Sequence, residues 1–217
     1  MNDFKFELLN PSDPVAVQEY EAAFYQAFAK VTTNRLVQKL WLWDHETGRV
    51  RTRVRYQDQL ICTLRDQAGR LRSAMAFNLQ LRHFQAASYG FALPPASLSS
   101  FEVLTFFATV AQTLSVCANF WSSCLALLRG RGLTTGYATT APRPLAMYRR
   151  AGWRVLQEQE IESEKRYFLR YETPRSGRKC TDASTGMSTL SAPVLGLVAA
   201  PVRQNSPLEP LALLPQS

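Results

Sequence analysis

Apolar and polar positions recur along the first part of the chain with two different periods. Residues 4–9 alternate between the two types, and this period of two is typical of a strand. Residues 14–30 instead place apolar side chains three and four positions apart, which indicates a helix with one buried face. A second helix is predicted to follow, through Leu36 and Trp43.

The next part of the chain predicts an antiparallel hairpin. Residues 60–65 and 71–81 are both strand-like, and 66–69 supplies Asp and Gly for the turn between them. The Arg-rich stretch 49–56 is expected to be a loop or an edge strand. The segment 84–100 is expected to be rich in loops.

The stretch 101–153 predicts strand, long helix, strand and short helix in that order. Its first strand, 101–107, is rich in aromatic and β-branched residues, and the long helix is expected to end near Arg129. Two strands joined by a helical crossover are parallel, and the start of such a helix favours an anion. The later elements are a strand at 133–140, a helix from Pro144 to Gly152, and strands at 153–160 and 165–171.

The chain of 217 residues is long enough for one domain with a substantial core. Its composition changes after Thr173, where a Ser-, Thr-, Ala- and Pro-rich stretch without strong periodicity begins. We therefore predict a folded domain at 1–173 and a largely disordered tail at 174–217.

The net charge of +8 comes mainly from arginine. Between Arg49 and Arg82 there are eight arginines, against Asp58 and Asp66. Such a basic patch attracts acidic partners, such as an acidic acyl carrier protein or the phosphates of coenzyme A, although a solvated surface explains it equally well. No nucleic-acid-binding module is recognisable, so nucleic acid is not expected as a partner.

Cysteine and histidine usage argues against a metal site. The four cysteines form no C-x-x-C pair and the chain has two histidines, so buried free thiols in a reducing compartment are expected. The first residues lack an apolar secretory segment, and no apolar run reaches the length of a membrane-spanning helix. These features predict a cytoplasmic protein with no membrane span.

The order of elements in 101–153 resembles the second half of the GNAT acyltransferase superfamily. Tyr148, Gly152 and Trp153 match the Tyr-x-x-x-Gly-aromatic part of its short helix, and Gln112 stands where its pyrophosphate-binding loop begins. Both loop glycines are replaced. The resemblance covers residues 3 to 172 and is nearest to the acyl-homoserine-lactone synthase and N-acyl amino acid synthase branch. There the strand before the loop reads E-x-S/T-R-F, whereas here Glu102 is kept and no Arg follows.

This resemblance implies an α/β fold with a mixed, mainly antiparallel sheet of about six to seven strands flanked by helices. It implies transfer of an acyl group from a thioester to a small-molecule amine, such as an amino acid or a homoserine-lactone-type metabolite. Acyl-CoA or acyl-phosphopantetheine would be the co-substrate, with no permanently bound cofactor. An acetyl-CoA-dependent N-acetyltransferase is the enzymatic alternative, and a degenerate GNAT domain that only binds is the other, because the glycines are lost.

The resemblance also places the donor. Backbone N–H groups at the end of the central strand polarise the acyl carbonyl in this fold, and the following loop and helix start hold the donor. Because Gly normally lets the backbone approach a pyrophosphate, the substituted loop favours a carrier-protein donor, which lacks the nucleotide end of coenzyme A. The donor-binding candidates are Ala108, Val110, Gln112, Ser115, Val116 and Cys117.

Five further residues are candidates for chemistry or acceptor binding. Tyr148 maps to the phenol that gives the leaving thiolate its proton, and its alternative role is packing. Glu102, a carboxylate in an apolar strand, is the candidate base, or else a structural Glu paired with an Arg. Trp41, Trp43 and Asp44 are acceptor-pocket candidates, or else two core tryptophans and a surface aspartate.

Overall fold

A computed structural model describes residues 4–31, 35–95 and 97–173, so the predicted tail lies outside the described part. The strands are β1 (Lys5–Leu8), β2 (Leu42–Asp44), β3 (Arg49–Arg51), β4 (Gln59–Arg65), β5 (Leu71–Asn78), β6 (Ser100–Ala108), β7 (Thr135–Thr140), β8 (Arg154–Ile161) and β9 (Glu164–Glu172). The α-helices are α1 (Pro14–Phe28), α2 (Arg35–Leu40), α3 (Leu114–Gly130) and α4 (Pro142–Arg150), and short 3₁₀ helices cover Tyr56–Asp58 and Gln85–Tyr89.

Seven of these strands form one sheet in the order β1-β4-β5-β6-β7-β9-β8. All of its neighbouring pairs are antiparallel except β6 and β7, which are parallel because α3 carries the chain across between them. The predicted α/β class, the mixed and mainly antiparallel sheet and the strand number are confirmed. The shorter β2 and β3 form a separate hairpin.

The two faces of the sheet carry different helices. On one face, the buried core includes Phe120, Cys124 and Leu128 of α3 and Leu145 and Tyr148 of α4. On the other face, side chains of α1, such as Tyr20 and Phe24, pack with Val37 of α2 and with the sheet. This two-sided packing follows from the sequence, because the long helices each have one apolar side and the central strands are apolar on both.

The starts of α1 and α3 are fixed by side-chain hydrogen bonds. The Asp13 side chain caps α1 by accepting from the backbone N–H groups of Val15 (2.9 Å) and Ala16 (3.2 Å), with Pro14 at the first helical position. Thr113 caps α3 by accepting from the Val116 N–H at 3.4 Å. Among the described residues, no helix combines the length and the apolar composition that a membrane crossing requires.

The predicted second helix is wrong in its last part. Helix α2 ends at Leu40, and Trp43 lies in β2, which pairs with β3. The turn between these strands is stabilised by Asp44, whose side chain accepts hydrogen bonds from the backbone and hydroxyl of Thr47, and Gly48 follows at φ +64°. The three-residue spacing of Leu40 and Trp43 is compatible with a helix, but the hydrogen bonds of Asp44 and the positive φ of Gly48 form a turn, so the chain makes a hairpin instead.

Candidate functional site

The central feature of the sheet is a gap between β6 and β7. Their parallel pairing runs from Ser100 opposite Thr135 only as far as Val103 opposite Ala138. Beyond this point β6 stays paired with β5, and β7 stays paired with β9. The two strands therefore separate at their carboxyl ends and leave an opening in the middle of the sheet.

A β-bulge on β6 accompanies this separation. Phe77 of β5 lies opposite Val103, while Ala76 lies opposite Thr105, so Leu104 has no partner on β5. An extra residue of this kind bends its strand and increases its local twist. The bulge lies at the position where β7 leaves β6.

Backbone groups of β6 face the gap. The Thr109 N–H donates to the Arg72 carbonyl at 2.9 Å, on the β5 side. Because successive residues of a strand direct their N–H groups to opposite sides, Phe106 and Ala108 direct theirs toward the side that β7 has left. Such N–H groups are the type of donor that stabilises an oxyanion. Ala108 is one of the predicted carbonyl-polarising residues, and its role stays a prediction.

A groove that we call the loop groove lies beside the start of α3. Its volume is about 490 Å³. One wall comes from the loop after β6 and the first turn of α3, and the other comes from the N-terminal segment and the turn between β4 and β5. Its lining residues are Phe4, Asp66, Gln67, Ala68, Arg70, Arg72, Val110, Ala111, Gln112, Thr113 and Val116.

The predicted donor-binding residues of the loop are held by internal contacts. The Gln112 side chain donates to the Arg72 carbonyl at 3.1 Å and accepts from the Cys117 thiol at 3.7 Å. The Thr113 and Ser115 hydroxyls are 3.1 Å apart. Cys117 is buried, and burial raises the pKa of its thiol. Val110, Gln112 and Val116 thus line the groove, whereas the Cys117 side chain belongs to the core.

Two arginines of the loop groove were not singled out from the sequence as site residues. Arg70 and Arg72 both pair with the Asp66 carboxylate, at 3.0 and 2.6 Å. Partial desolvation acts to raise the pKa of Asp66, but hydrogen bonds from the Arg70 backbone and from both arginine side chains lower it to about 2. Asp66 therefore stays ionised and holds two guanidinium groups beside the start of α3.

Tyr148 lies on the α3 and α4 face of the sheet. It is 8% exposed, and its ring packs against Trp121 of α3 and Trp153, with centroids 5.7 and 5.4 Å away. Burial raises the pKa of Tyr148 well above its usual value, so the phenol is protonated at neutral pH. No hydrogen bond joins its hydroxyl to another described residue.

Trp121 connects Tyr148 to the gap. Its ring also contacts Phe106 of β6, at a centroid distance of 5.6 Å. Its indole N–H is buried, and the described residues offer it no hydrogen-bond partner. Trp121 lies four positions after Cys117 and seven before Leu128, on the apolar face of the helix, but nothing in the sequence indicates an unsatisfied donor.

Glu102 is buried on the opposite face of the sheet, because its neighbours Phe101 and Val103 belong to the core under α3. Its carboxylate accepts the backbone N–H groups of Gln85 and Ala86, both at 2.8 Å. Asn78 donates to it at 3.2 Å. Burial raises the pKa of Glu102 to about 7, against the opposing effect of these three donors.

These contacts bear on both interpretations of Glu102. Among the described residues no arginine pairs with it, so the predicted structural ion pair is wrong: backbone N–H groups take that place. Its role as a base stays a prediction. Both oxygens are occupied and the residue is 1% exposed, which favours a positioning role.

The three acceptor-pocket candidates do not share one environment. Trp41 is buried against Phe24 and Phe28, with centroids 4.6 and 4.9 Å away, so it is a core residue. Trp43 and Asp44 line a groove of about 310 Å³ beside β2 and β3, which we call the hairpin groove. Its other lining residues are Glu21, Leu42, Arg49, Val50 and Arg51.

Glu21 of the hairpin groove was missed by the sequence reasoning. It is 9% exposed, accepts the Tyr56 hydroxyl at 2.8 Å and lies 3.9 Å from Arg49. A signal existed, because Glu21 lies four positions after Val17 and three before Phe24, on the apolar side of the helix. Among the described residues, no three His, Cys, Asp or Glu side chains gather in a way that would hold a metal ion.

Comparison of the structure with solved structures identifies the fold. BjaI, a CoA-dependent acyl-homoserine lactone synthase solved with SAM and isopentyl-CoA, matches with a TM-score of 0.64 at 10% identity, over 80% of this chain and 85% of that one. MesI, another CoA-dependent acyl-homoserine lactone synthase, matches with a TM-score of 0.58 at 12% identity, over 78% and 90%. The ribosomal-protein-S18-alanine N-acetyltransferase from Escherichia coli matches with a TM-score of 0.52 at 10% identity, over 82% and 98%.

Comparisons of the sequence with protein-family models and with curated proteins gave no match. The structural matches establish that the chain has the GNAT fold, which these acyl-homoserine lactone synthases and this N-acetyltransferase share. The resemblance predicted from the sequence is therefore confirmed at the level of fold.

Proposed function

We propose that the protein is an acyltransferase that moves an acyl group from a thioester to an amine. The observation that carries the proposal is the gap between β6 and β7 beyond Val103 and Ala138. It presents backbone N–H groups of β6 on one side of the sheet opening and has Tyr148 of α4 nearby, linked through Trp121. An extended acyl-thioester arm fits between separated strands because it takes the place of the missing partner.

The proposed reaction assigns one role to each group. The amine nitrogen attacks the thioester carbonyl carbon, and N–H groups of β6, with Ala108 as the main candidate, stabilise the oxyanion. The C–S bond then breaks, and the Tyr148 hydroxyl protonates the leaving thiolate. The proton that the nitrogen loses returns to the Tyr148 phenolate, so Tyr148 is regenerated and the products are an amide and a free thiol.

The donor is proposed to carry a phosphopantetheine arm, as acyl-CoA or as an acyl carrier protein. The loop groove supports this, because Arg70 and Arg72 lie beside the start of α3, where a phosphate is favoured. Guanidinium groups recognise phosphate by charge and by paired hydrogen bonds. In this arrangement the two arginines would supply part of the phosphate binding for which other proteins of this fold use the loop glycines.

The acceptor is proposed to be a small amine of the amino acid or homoserine-lactone type. The hairpin groove supports this class, because it combines the carboxylates of Glu21 and Asp44 with Arg49, groups that suit an ammonium and a carboxylate. Trp43 adds an aromatic wall. The relative BjaI was solved with SAM, which also bears both groups.

A carrier-protein donor would use the basic patch at 49–82. Five of its eight arginines are in ion pairs, and within the described residues Arg51, Arg53 and Arg82 have no ion pair, although Arg53 donates to the Leu40 carbonyl at 3.0 Å. We expect Arg53→Glu with Arg82→Glu to raise KM for an acyl carrier protein and not for acyl-CoA, and Arg154→Glu on β8 is the control. The paired arginines are Arg49, Arg55, Arg65, Arg70 and Arg72.

The decisive experiment measures thiol release. The purified protein is incubated with a series of acyl-CoAs and acyl carrier proteins of increasing chain length, with and without an amine mixture, and free thiol is followed after subtraction of the protein's own cysteines. Mass spectrometry then identifies the amide. Amine-dependent thiol release supports the proposal, and a preference for acetyl-CoA alone would assign the acetyltransferase alternative. Binding of thioesters without any thiol release or amide would contradict an enzymatic function.

One observation favours the binding-module alternative specifically. The side chain of Gln112 is used to tie the loop to β5, and Thr113 and Ser115 bond to each other, so the loop offers fewer free donors than a glycine loop does. Titration calorimetry with an acyl-CoA, followed by analysis of the recovered ligand after incubation with an amine, distinguishes the two functions, because a module without activity would bind the thioester and leave it unchanged.

A further inference from the structure

We propose that Gln85 and Glu102 are positioning residues that hold the β6 bulge and thereby keep β6 in the shape that opens the gap. This inference rests on the proposed function only for its kinetic consequence. The structural claim concerns a chain of hydrogen bonds that connects the segment before β6 to the bulged residue Leu104.

The chain of contacts begins at the bulge. Leu104 has no partner on β5, and its carbonyl oxygen accepts a hydrogen bond from the Gln85 side-chain amide at 3.3 Å. A bulge leaves backbone groups outside the regular ladder, and a buried carbonyl without a partner is costly. Gln85 therefore satisfies the group that the irregularity would otherwise leave unpaired, and this makes the bulged conformation favourable.

Gln85 is itself held at both ends. Its backbone N–H donates to Glu102 at 2.8 Å, and its side-chain oxygen accepts the Trp41 indole N–H at 3.3 Å. Because the amide oxygen of Gln85 accepts from Trp41, the amide nitrogen faces Leu104. Only the nitrogen can donate to the Leu104 carbonyl. The Gln85 side chain thus links the buried Trp41, which directly follows α2, to the central strand β6.

Glu102 fixes the start of the 3₁₀ helix that carries Gln85. Its two oxygens accept the N–H groups of Gln85 and Ala86, which are the free donors at that helix start, and a third bond comes from Asn78. Asn78 also donates to the His83 carbonyl at 2.9 Å, so the whole turn before Gln85 is tied to the end of β5. A neutral or apolar residue at 102 would leave at least one of these donors unsatisfied.

The charged and titratable groups around Glu102 are few. Tyr89 lies on the 3₁₀ helix that also carries Gln85, and burial raises the pKa of its phenol. Arg166 and Glu164 of β9 act electrostatically on Tyr89, and the Arg166 side chain is bonded to Glu164. Glu102 itself has only hydrogen-bond donors as direct partners, so burial opposes its ionisation while the donors favour it, and its protonation would turn one acceptor oxygen toward a donor.

The test compares two glutamines of the same segment. Gln85→Met keeps the length of the side chain and removes both hydrogen bonds, and Gln80→Met is the matched control at an exposed position. Two readouts are used. The first is the backbone amide NMR signal of residues 105–108, because the Thr105 amide shares its peptide group with the Leu104 carbonyl. The second is the separate measurement of kcat and of KM for the thioester.

We expect Gln85→Met to shift the amide signals of 105–108 and to lower kcat about tenfold or more, with the thioester KM changed less than twofold. Glu102→Gln should shift the same signals, together with those of residues 85 and 86. Gln80→Met should change neither readout. The inference is overturned if the signals of 105–108 in Gln85→Met coincide with those of the unmodified protein, or if Gln80→Met gives the same changes.

The NMR readout does not depend on catalysis. If the unmodified protein releases no thiol from any thioester, the proposed function fails, and shifted signals in Gln85→Met still support the positioning of β6. If thiol release is found but Gln85→Met leaves kcat and the signals unchanged, the positioning inference fails and the proposed function stands. Should Gln85→Met not fold, Gln85→Asn retains the amide but not its reach, and the same comparison applies.

Discussion

The Trp121 indole and the Tyr148 phenol meet edge to face, with their ring centroids 5.7 Å apart and an interplanar angle of 81°. This contact joins α3 to α4, and Trp121 extends it to Phe106 on β6. The proposed acid is thereby placed relative to the strand that carries the proposed oxyanion donors.

Replacing Tyr148 by Phe removes the hydroxyl and keeps the ring contacts. We expect kcat to fall about 100-fold, because the thiolate loses its proton donor, while the melting temperature changes little. Because burial raises the pKa of Tyr148, the unmodified enzyme should show no loss of rate from this group between pH 6 and 9. Tyr171→Phe, which removes a hydroxyl from another buried tyrosine of the same core, is the control. An equal loss in both variants would contradict a specific role for Tyr148.

Trp121→Phe tests the buried indole N–H. An unsatisfied buried donor costs about 1–3 kcal/mol, so its removal offsets part of the packing that the smaller ring loses, and stability should change by less than about 1 kcal/mol. If the N–H bonds an amide carbonyl of the pantetheine arm, KM for the thioester should rise about fivefold to tenfold. Chemical denaturation and steady-state kinetics measure the two effects. An unchanged thioester KM would show that the donor has no ligand partner.

The sequence contained enough information to predict the fold, and the physical reason lies in local patterns. The strand, helix and strand around α3 have strong periodicity, and a crossover of that kind makes the pair β6 and β7 parallel. The substituted residues Ser115 and Cys117 were visible in the sequence, but the use of Gln112 to bind the Arg72 carbonyl was not. That contact joins residues 40 positions apart, and no local pattern encodes it.

The same limit explains the errors in the site. Trp41 and Trp43 are equivalent in a sequence pattern, yet a chain reversal that begins after Leu40 sends one into the core and the other onto a hairpin. Glu102 stood out as a carboxylate in an apolar strand, but its partners are backbone N–H groups of a loop-rich segment. Backbone donors carry no residue signature, so the sequence pointed to an arginine instead.

Trp41 and Trp43 should now respond differently to substitution. Trp41→Ala removes a buried ring packed on Phe24 and Phe28, and we expect a loss of about 3–5 kcal/mol in the free energy of unfolding. Trp43→Ala should cost much less stability and should raise KM for the amine, because Trp43 lines the hairpin groove. Denaturant unfolding and kinetics at saturating thioester check both. A larger acceptor effect from Trp41→Phe than from Trp43→Phe would contradict this assignment.

Glu102 makes the stability of the protein depend on pH in a predictable direction. Its pKa is about 7 in the folded protein, against 4.5 for an ordinary glutamate, because burial disfavours the charged form more than the three donors favour it. Below about pH 4.5 the carboxyl is protonated in both states, and its contribution to stability is fully present. As the pH rises toward 7 the unfolded chain releases the proton first, so this contribution is lost, by about 3 kcal/mol in total.

Glu102→Gln cannot titrate and isolates this effect. We subtract the unfolding free energy of the variant from that of the unmodified protein. This difference should fall by about 3 kcal/mol between pH 4.5 and pH 7.5, because only the unmodified protein loses stability through Glu102 as the pH rises. Other titrating groups are common to both proteins and cancel in the difference, including Tyr89, whose pKa burial raises above its usual value of 10. Denaturant titrations at five pH values measure it. A difference that stays constant would mean that Glu102 keeps an ordinary pKa, with its three hydrogen-bond donors compensating for burial.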